Sequence, residues 1–449
     1  MQELHKKYVI VPIDKAGNNI AIICKKIYVE KLLEEIGIIG EQSQTYEKTT
    51  NKDKKEIIKE NVKYAEKLKI TITDKERDLP SMHWIPKMHK TPIGSRYIIA
   101  SKMCSTKGIA SAVSKAFRLI TYQIKNFHDK SKFYTNYHRY WIVQNIVPIV
   151  EKLEEINKKK NAKIISAYDF STLYTNIPHQ LLINSLNEII DFVFKGGNKR
   201  YIVISNKRAF WGSRKIYKQY FTNTSLKTTI TNLIQNCYFT VGNVIMKQVI
   251  GIPMGIDPAP FWANLFLYKY ESAYISQLIK SDKIKAKKYH GTSRFIDDLC
   301  IVNDGGEFRN SYKEIYPAEL QLKVEHFGSH GTFLDLDITI QDKKFVYKLY
   351  DKRDEFPFSI VRMPNLKSNI PSEIFYNTIK SEILRIARCT LNIDEFINRG
   401  KEIYQRMVNQ GGEELKIKTS VMKFMSKHLD VFNKYKTEYR NIITDISTK

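Results

Sequence analysis

Two adjacent aspartates, Asp297 and Asp298, stand out in this sequence because their side chains could bind a metal ion together. The runs on either side are rich in residues that favour strands, whereas Asp is favoured in turns. We therefore predict a β-hairpin over 293–302 with both carboxylates at its tip. Like charges this close repel, and a hard divalent cation such as Mg²⁺ neutralises them. A solvated turn has the same pattern, so the prediction depends on a further carboxylate elsewhere.

A third aspartate, Asp169, follows an apolar, strand-like run and precedes a turn. Pro178 then suits the first position of a helix with apolar residues at helical spacing. An Asp at the end of a buried strand, beside a helix N-terminus, can hold a metal ion and leave room for a triphosphate. By itself Asp169 is also typical of a helix cap. Three carboxylates from neighbouring strands, however, can hold two Mg²⁺ ions about 3.5–4 Å apart, which is the chemistry of a template-directed polymerase.

Two further stretches suit a nucleotide substrate. The loop 248–260 holds two glycines and three prolines before an apolar helix predicted from Phe261 to about Leu278, and glycines permit the close approach of another backbone or a base pair. Upstream, Lys87, Lys90 and Arg96 could converge on phosphate. A structural turn and ordinary surface charge explain each stretch equally well when it is taken alone.

Charge and composition indicate a polyanionic partner. The 449 residues carry a formal net charge of +26, and 27 Tyr and 22 Phe are available to stack on bases. Five scattered cysteines without a Cys-x-x-Cys pair fit a reducing interior. The sequence shows no signal peptide and no long apolar run, so we expect an intracellular protein of the nucleus or cytoplasm that is neither secreted nor in a membrane.

The remaining segments follow from hydrophobic patterning. We predict a hairpin over 8–25, helix from Lys26 to about Lys69 and from Gly108 to about Lys159, and a hairpin or loop insertion over 196–218. A strand over 332–340 should pair with 345–350. From 369 onward the chain should be helical and basic, as in a subdomain that lies along a nucleic-acid backbone, although a packing domain with a solvated face fits equally well.

Taken in order, these motifs resemble those of reverse transcriptases, most closely the Penelope-like retroelement branch, which is related to telomerase. The run 169–178 (DFSTLYTNIP) resembles motif A, 248–260 resembles motif B, and 295–298 (FIDD) is similar to motif C. The run 333–336 (FLDL) resembles the primer-grip motif, and 79–101 resembles the fingers motifs. The resemblance covers roughly residues 8–430.

The resemblance implies an α+β right-hand polymerase fold with fingers, an antiparallel-sheet palm and a helical thumb. We expect the N-terminal region and fingers at 1–130, the palm with motifs A, B and C at 131–345, and the primer-grip hairpin with the thumb at 346–449. It also implies an RNA template, a DNA primer and dNTPs as partners, and two Mg²⁺ ions, with Mn²⁺ a possible substitute.

The resemblance also implies roles for individual residues. Asp169, Asp297 and Asp298 are the expected catalytic metal ligands. The expected nucleotide-binding residues are Arg96, Lys87, Tyr174, Gln248 and Gly251. The expected nucleic-acid-binding residues are Lys90, Met254, Gly255, Phe333, Leu334 and Arg385. Tyr174 matches the bulky residue that excludes a ribose 2′-hydroxyl, and Lys323 is a hypothesis for a general acid after motif C.

Three functions remain open from sequence. The first is an RNA-directed DNA polymerase, and the second is a polymerase that uses another template or product, against which Tyr174 argues. The third is a domesticated nucleic-acid-binding protein without turnover, against which the three carboxylates argue. No C-terminal GIY-YIG nuclease or RNase H segment is recognisable, so we expect an endonuclease-lacking, domesticated or truncated member of the branch.

Overall fold

The computed structural model describes residues 2–448 except 172, 197–199, 214–217 and 254. The strands are β1 Tyr8–Ile13, β2 Ala16–Cys24, β3 Tyr46–Lys48, β4 Ser81–Lys87, β5 Gly94–Ala100, β6 Ile165–Phe170, β7 Tyr201–Ile204, β8 Ala209–Gly212, β9 Tyr220–Phe221, β10 Tyr238–Val241, β11 Val244–Gln248, β12 Thr292–Phe295, β13 Asp298–Val302, β14 Leu322–Gly328, β15 His330–Phe333, β16 Leu336–Gln341 and β17 Lys344–Leu349. The helices are α1 Gln2–Lys7, α2 Lys25–Glu35, α3 Lys54–Lys67, α4 Lys107–Thr135, α5 Val147–Lys158, α6 Leu173–Asn176, α7 His179–Phe194, α8 Asn223–Gln235, α9 Ala259–Ser281, α10 Lys283–Lys288, α11 Glu307–Ile315, α12 Ser372–Cys389, α13 Ile393–Asn409, α14 Glu414–Met425, α15 Leu429–Phe432 and α16 Tyr439–Ser447.

A four-stranded antiparallel sheet in the order β12-β13-β6-β14 carries the three aspartates. Most residues of β6 and β13 are buried, because helices such as α9 pack an apolar face against the sheet. Burial of apolar side chains on this scale fixes the strand register, since a slip by one residue would turn every buried side chain outward. The register therefore determines which carboxylates meet.

The predicted hairpin around the Asp pair is present, with one correction. Phe295 pairs with Asp298, so the two-residue turn consists of Ile296 and Asp297. Asp298 is the first residue of β13 and does not lie in the turn. It lies directly opposite Asp169, which is the last residue but one of β6, close to the predicted end of the strand. Pairing across the sheet has overridden the preference of Asp298 for turns.

A second sheet, in the order β3-β11-β10-β4-β5, packs on the hairpin of β1 and β2 and on α2. The hairpin over 8–25 is confirmed. The continuous helix predicted from Lys26 to about Lys69 is wrong, because α2 ends at Glu35 and β3 precedes α3. Gly37 and Gly40, both at positive φ, follow the end of α2 where the chain turns.

Three other predictions need correction at their boundaries. The strand predicted over 332–340 is a hairpin of β15 and β16 that turns at Leu334, whose φ is +55°. The helix predicted to about Lys159 is interrupted at residues 136–146, between α4 and α5. Pro178 caps α7 instead of being its first residue, because its ψ of 134° is extended. Of the insertion predicted over 196–218, which is described only in part, β7 and β8 form a hairpin.

The C-terminal segment from α12 to α16 is helical, as predicted. Its apolar residues form one core with α5 and with the sheet of β15, β16 and β17. None of the helices in the described ranges is both long enough and apolar enough to cross a lipid bilayer.

A buried ion pair joins the Asp hairpin to α9. The guanidinium of Arg294 donates to both carboxylate oxygens of Glu271, and neither side chain is exposed to solvent (0% for each). Arg294 also donates to the side chain and the carbonyl of Asn264 (2.9 and 3.0 Å), and the Tyr316 hydroxyl donates to Glu271 (3.0 Å). These bonds satisfy the charges, which would otherwise be very unfavourable in the core.

We predict that Glu271→Gln lowers the free energy of unfolding by about 3–5 kcal/mol, because Arg294 would keep its charge without a buried counter-charge. Chemical denaturation followed by circular dichroism measures the loss. The matched control is Glu188→Gln, which removes an exposed partner of Lys269 and should change stability by less than about 1 kcal/mol. Similar losses in the two variants would contradict this account of the core.

Candidate active site

Sheet register brings the three predicted carboxylates together. Asp169 faces Asp298 across the β6–β13 pair, and the backbone N–H of Phe170 donates to the carbonyl of Asp297 (3.2 Å). On the other side of Asp169 lies Lys323 of β14. Three acidic residues from two strands and one turn thus share one end of the sheet.

The carboxylates perturb one another. Burial raises the pKa of Asp298 to about 6, and the neighbouring charges of Asp297 and Asp169 add to the rise. Burial and Asp297 also raise the pKa of Asp169, and Glu325, in a bulge of β14, contributes. The charge of Lys352 lowers both pKa values, and the charge of Lys323 lowers that of Asp169. The site therefore has an excess of negative charge that a bound cation would relieve.

The turn that holds Asp297 has an unusual backbone. Ile296 has a φ of +55°, a region that β-branched residues rarely adopt and that costs on the order of 1–3 kcal/mol. Arg294 donates to the Ile296 carbonyl (2.9 Å) and so fixes this peptide from the core. The same buried guanidinium that binds Glu271 thereby sets the position of the residue before Asp297. Sequence reasoning missed both Arg294 and Glu271, which are ordinary polar residues in the sequence pattern.

The expected sugar-discriminating residue lies beside the carboxylates. Tyr174 belongs to α6, four residues after β6 ends, and burial together with the Asp297 charge raises its pKa to about 12. The loop of Gly251 packs against this segment, where Gly251 N–H donates to Ile177 O (2.7 Å) and Ile252 N–H to Tyr174 O (3.0 Å). A Cβ at Gly251, whose φ is +91°, would collide with the Tyr174 carbonyl, so this position requires glycine.

Gln248 and Gly255 hold the rest of this loop in place. Gln248 is fully buried, and its amide donates to Ile250 O (3.0 Å) and Ile252 O (3.2 Å), so it shapes the loop that supports Tyr174. Gly255, at φ +82°, packs so closely on the Ile99 backbone that a Cβ there would collide with it. Met254 lies outside the described residues.

The three basic residues of β4, β5 and their connection do converge. The charges of Arg96 and Lys90 both lower the pKa of Lys87, after the larger effect of burial. Arg96 is held by an ion pair with the buried Asp14 (2.6 Å), which occupies one of its five N–H donors. The cluster is therefore positioned by β1 and β2, with donors left over for an anion.

A cleft of about 820 Å³ extends from Asp298 toward α12. Leu334 and Arg385 line it, together with Lys352 and Lys15. Sequence reasoning missed Lys352, which lies in a short helical turn, and Lys15, which lies in the tip of the β1–β2 hairpin.

Carboxylates bind the arginines of the cleft wall near α12. Arg385 is bound by Asp335 (2.8 Å), Asp351 (3.3 Å) and Glu382 (3.4 Å), so it anchors the β15–β16 turn to α12. The ion pairs with Arg353 and Arg385 hold the pKa of Asp351 well below its usual range despite burial. Phe333 is buried beneath this wall, in the core shared with the C-terminal helices.

The donor set fits a hard divalent cation. In the part of the chain that the structure describes, no three His, Cys, Asp or Glu side chains already stand in a metal-coordinating arrangement. The fit rests instead on the donor chemistry and the charge: carboxylate oxygens are ligands that Mg²⁺ takes beside substrate phosphates, and neighbouring negative charge contributes to the raised pKa values of Asp169 and Asp298.

Comparisons with known proteins support the fold. No protein-family model matches this sequence, and no curated protein matches it. Among solved structures, telomerase from Candida albicans in complex with a TWJ fragment of telomeric RNA superposes with a TM-score of 0.66 at 11% identity, over 99% of this chain and 71% of that one. Apo telomerase from Candida tropicalis superposes with a TM-score of 0.54 at 10% identity, over 99% of this chain and 74% of that one.

A third structure, telomerase from Candida tropicalis with a TWJ fragment of telomeric RNA, gives a TM-score of 0.54 at 12% identity, over 100% of this chain and 71% of that one. At these identities the likeness concerns the fold alone. The predicted α+β right-hand polymerase fold is therefore confirmed. The telomerase likeness also agrees with the reverse-transcriptase-like motifs noted in the sequence.

We predict that Asp298→Asn stabilises the metal-free protein at high pH. The folded state keeps the Asp298 proton up to pH about 6, whereas the unfolded chain releases it near 4, so wild-type stability falls as pH rises between these values. The variant lacks this titration, and its free energy of unfolding relative to wild type should rise by roughly 2 kcal/mol from pH 4 to pH 8.

Urea denaturation at a series of pH values measures this difference. The exposed Asp445 of α16 provides the matched control, Asp445→Asn, for which we expect a flat difference. A difference for Asp298→Asn that is also independent of pH would show that its carboxyl is not destabilised in the folded state.

Proposed function

We propose that this chain is an RNA-directed DNA polymerase of the Penelope-like branch of reverse transcriptases, extending a primer 3′-hydroxyl with dNTPs on an RNA template. The single observation that supports this most strongly is the register that places Asp169 opposite Asp298 with Asp297 in the adjoining turn. An excess of negative charge at the end of a sheet, beside a cleft that Lys15, Lys352 and Arg388 line, suits nucleotidyl transfer.

Each residue then has a defined task. Asp169, Asp297 and Asp298 would hold two Mg²⁺ ions, which when bound activate the 3′-hydroxyl and neutralise the leaving pyrophosphate. Arg96 and Lys87 bind the triphosphate, Arg96 with the donors that Asp14 leaves unused.

Tyr174 and Lys323 also act on the substrate. Tyr174 occupies the space that a ribose 2′-hydroxyl needs, beside Asp297. Lys323, directly opposite Asp169, is placed to give a proton to the leaving pyrophosphate.

The cleft accommodates the template and primer. Its volume extends from Asp298 past Leu334 to α12, and Lys15, Lys352 and Arg388 line it as counter-charges for phosphates. Arg385 acts in this cleft chiefly by holding the β15–β16 turn, since three carboxylates already bind its guanidinium. Lys90 lies in the connection of β4 and β5 with the basic cluster, and Gly255 packs on the Ile99 backbone of β5.

We predict that Mg²⁺ raises the melting temperature of the wild-type protein, because an ion that binds only the folded state stabilises it by mass action. The rise should be larger at pH 8 than at pH 5, where the pKa of Asp298, about 6, leaves its carboxyl protonated. Differential scanning fluorimetry measures the shift. In Asp297→Asn the shift should be largely lost, whereas Asp445→Asn should keep it. Equal shifts in all three proteins would mean that Mg²⁺ binds elsewhere.

We predict that Tyr174→Ala admits ribonucleotides. The NTP-to-dNTP ratio of incorporation efficiency should rise by at least about tenfold, which corresponds to about 1.4 kcal/mol, because the ring no longer blocks the 2′-hydroxyl. Single-nucleotide extension of a primer on an RNA template measures the ratio. Tyr174→Phe keeps the ring and should keep the wild-type preference. A wild-type enzyme that already prefers NTPs would overturn the assignment of a DNA product.

A further inference from the structure

A second basic pocket lies at the far end of the Asp hairpin. Thr292 begins β12 and Val302 ends β13, so this end lies about 15 Å from Asp297 along the strands. The pocket has a volume of about 220 Å³, and we call it the rear pocket. It is lined chiefly by Lys152, Lys159, Lys287, Lys288 and His290.

Positive charge in the rear pocket is incompletely neutralised. Glu155 is the carboxylate among the lining residues, and it lies 3.5 Å from Lys159. Lys288 binds Glu307 (3.0 Å). Lys152, by contrast, donates to two uncharged groups, the Thr292 carbonyl (2.7 Å) and the Ser293 hydroxyl (3.0 Å).

The pKa values of Lys152 and His290 also reflect the excess of positive charge in the rear pocket. Burial, together with the smaller effect of the Lys132 charge at the end of α4, lowers the pKa of Lys152 to about 7. Burial and Lys132 also lower the pKa of His290. An anion in the pocket would restore the charged form of Lys152, and a phosphate group has the size and charge to do so.

Exposed aromatic rings lie on α4, whose C-terminal end approaches the rear pocket: His138, three residues after α4, lies beside His290 with ring centroids 5.9 Å apart. Phe133 and Tyr134 follow Lys132 in the last turn of α4, and they are 83% and 82% exposed. Their ring centroids are 5.3 Å apart in an edge-to-face arrangement. Tyr122, which is 62% exposed, lies eleven residues earlier and therefore on the same face of the helix as Phe133. We call these three rings the α4 rings.

Rings beside a phosphate-sized basic pocket suit a single-stranded nucleic acid. Bases of a single strand are free to stack on side-chain rings, whereas paired bases in a duplex are not, and the backbone supplies the phosphates. The face of α4 between Tyr122 and Phe133 carries Lys130 and the ion pair of Lys125 with Asp129, so it is not the continuous apolar patch that a protein partner would use.

We propose that the rear pocket and the α4 rings together form a second binding site, for single-stranded RNA, outside the cleft of the three aspartates. The choice of RNA over DNA rests on the proposed function, because the uncopied template is the single strand that must enter the cleft. The binding itself requires no synthesis.

The test uses the full chain and a fluorescent single-stranded RNA of about 12 nucleotides, with the cleft first saturated by an unlabelled blunt primer–template duplex. Fluorescence anisotropy gives the affinity and its salt dependence. Phe133→Ala/Tyr134→Ala should weaken binding about tenfold through lost stacking. Lys132→Ala/Lys287→Ala should weaken it about three- to tenfold and reduce the salt slope by one to two.

Matched controls come from exposed residues elsewhere. Lys59→Ala/Lys63→Ala removes two exposed lysines of α3, and Leu415→Ala shortens an apolar side chain that is 79% exposed, so both should bind RNA as wild type does. Melting temperatures confirm that all variants fold.

Three results would overturn the proposal. The first is that both double variants bind the RNA as tightly as wild type does. The second is that the double variants lose affinity for single-stranded DNA but not for RNA. The third is full competition by tripolyphosphate with no effect of Phe133→Ala/Tyr134→Ala, which would show an anion pocket only. Binding that depends on these residues in a protein without polymerase activity would support this site while the proposed function failed, so the two can be distinguished.

Discussion

The buried contact between Arg294 and Glu271 is the constraint on which the Asp hairpin depends. One fully buried guanidinium binds a carboxylate of α9, the side chain and carbonyl of Asn264, and the carbonyl of Ile296. Because Ile296 has a positive φ, its turn would relax if this support were absent. The core of the molecule thus determines where Asp297 lies, and the sheet register determines where Asp169 and Asp298 lie relative to it.

The second constraint is electrostatic. Three carboxylates and Glu325 share one end of the sheet, and their mutual repulsion, added to burial, raises the pKa values of Asp169 and Asp298. A fold that keeps this arrangement gives up stability, which suits a site whose function requires cations. The rear pocket shows the opposite imbalance, in that lysines crowd around Lys152 with few acidic partners. One hairpin therefore has an acidic end and a basic end, about 15 Å apart.

Much of this arrangement could be predicted from the sequence, because hydrophobic patterning and turn residues act locally. The β1–β2 hairpin, the strand that carries Asp169 near its end, the helix α9 and the right-hand fold follow from such patterns and from the ordered motifs. The errors arose where long-range pairing decides the outcome. Asp298 belongs to β13 because this strand pairs with β6. The strand predicted over 332–340 is a hairpin that turns at Leu334, and Arg385 anchors that turn through Asp335. Arg294, Glu271 and Lys352 act through contacts between distant segments, which a single sequence does not reveal.

The most direct test of the central claim is primer extension on an RNA template with dNTPs and Mg²⁺, comparing wild type, Asp297→Asn and the exposed control Asp445→Asn. We expect synthesis by wild type and by the control, and a loss of at least about a thousandfold in Asp297→Asn, or about 4 kcal/mol of transition-state stabilisation. Undiminished synthesis by Asp297→Asn, or no synthesis by a wild-type protein that still binds the primer–template, would contradict it.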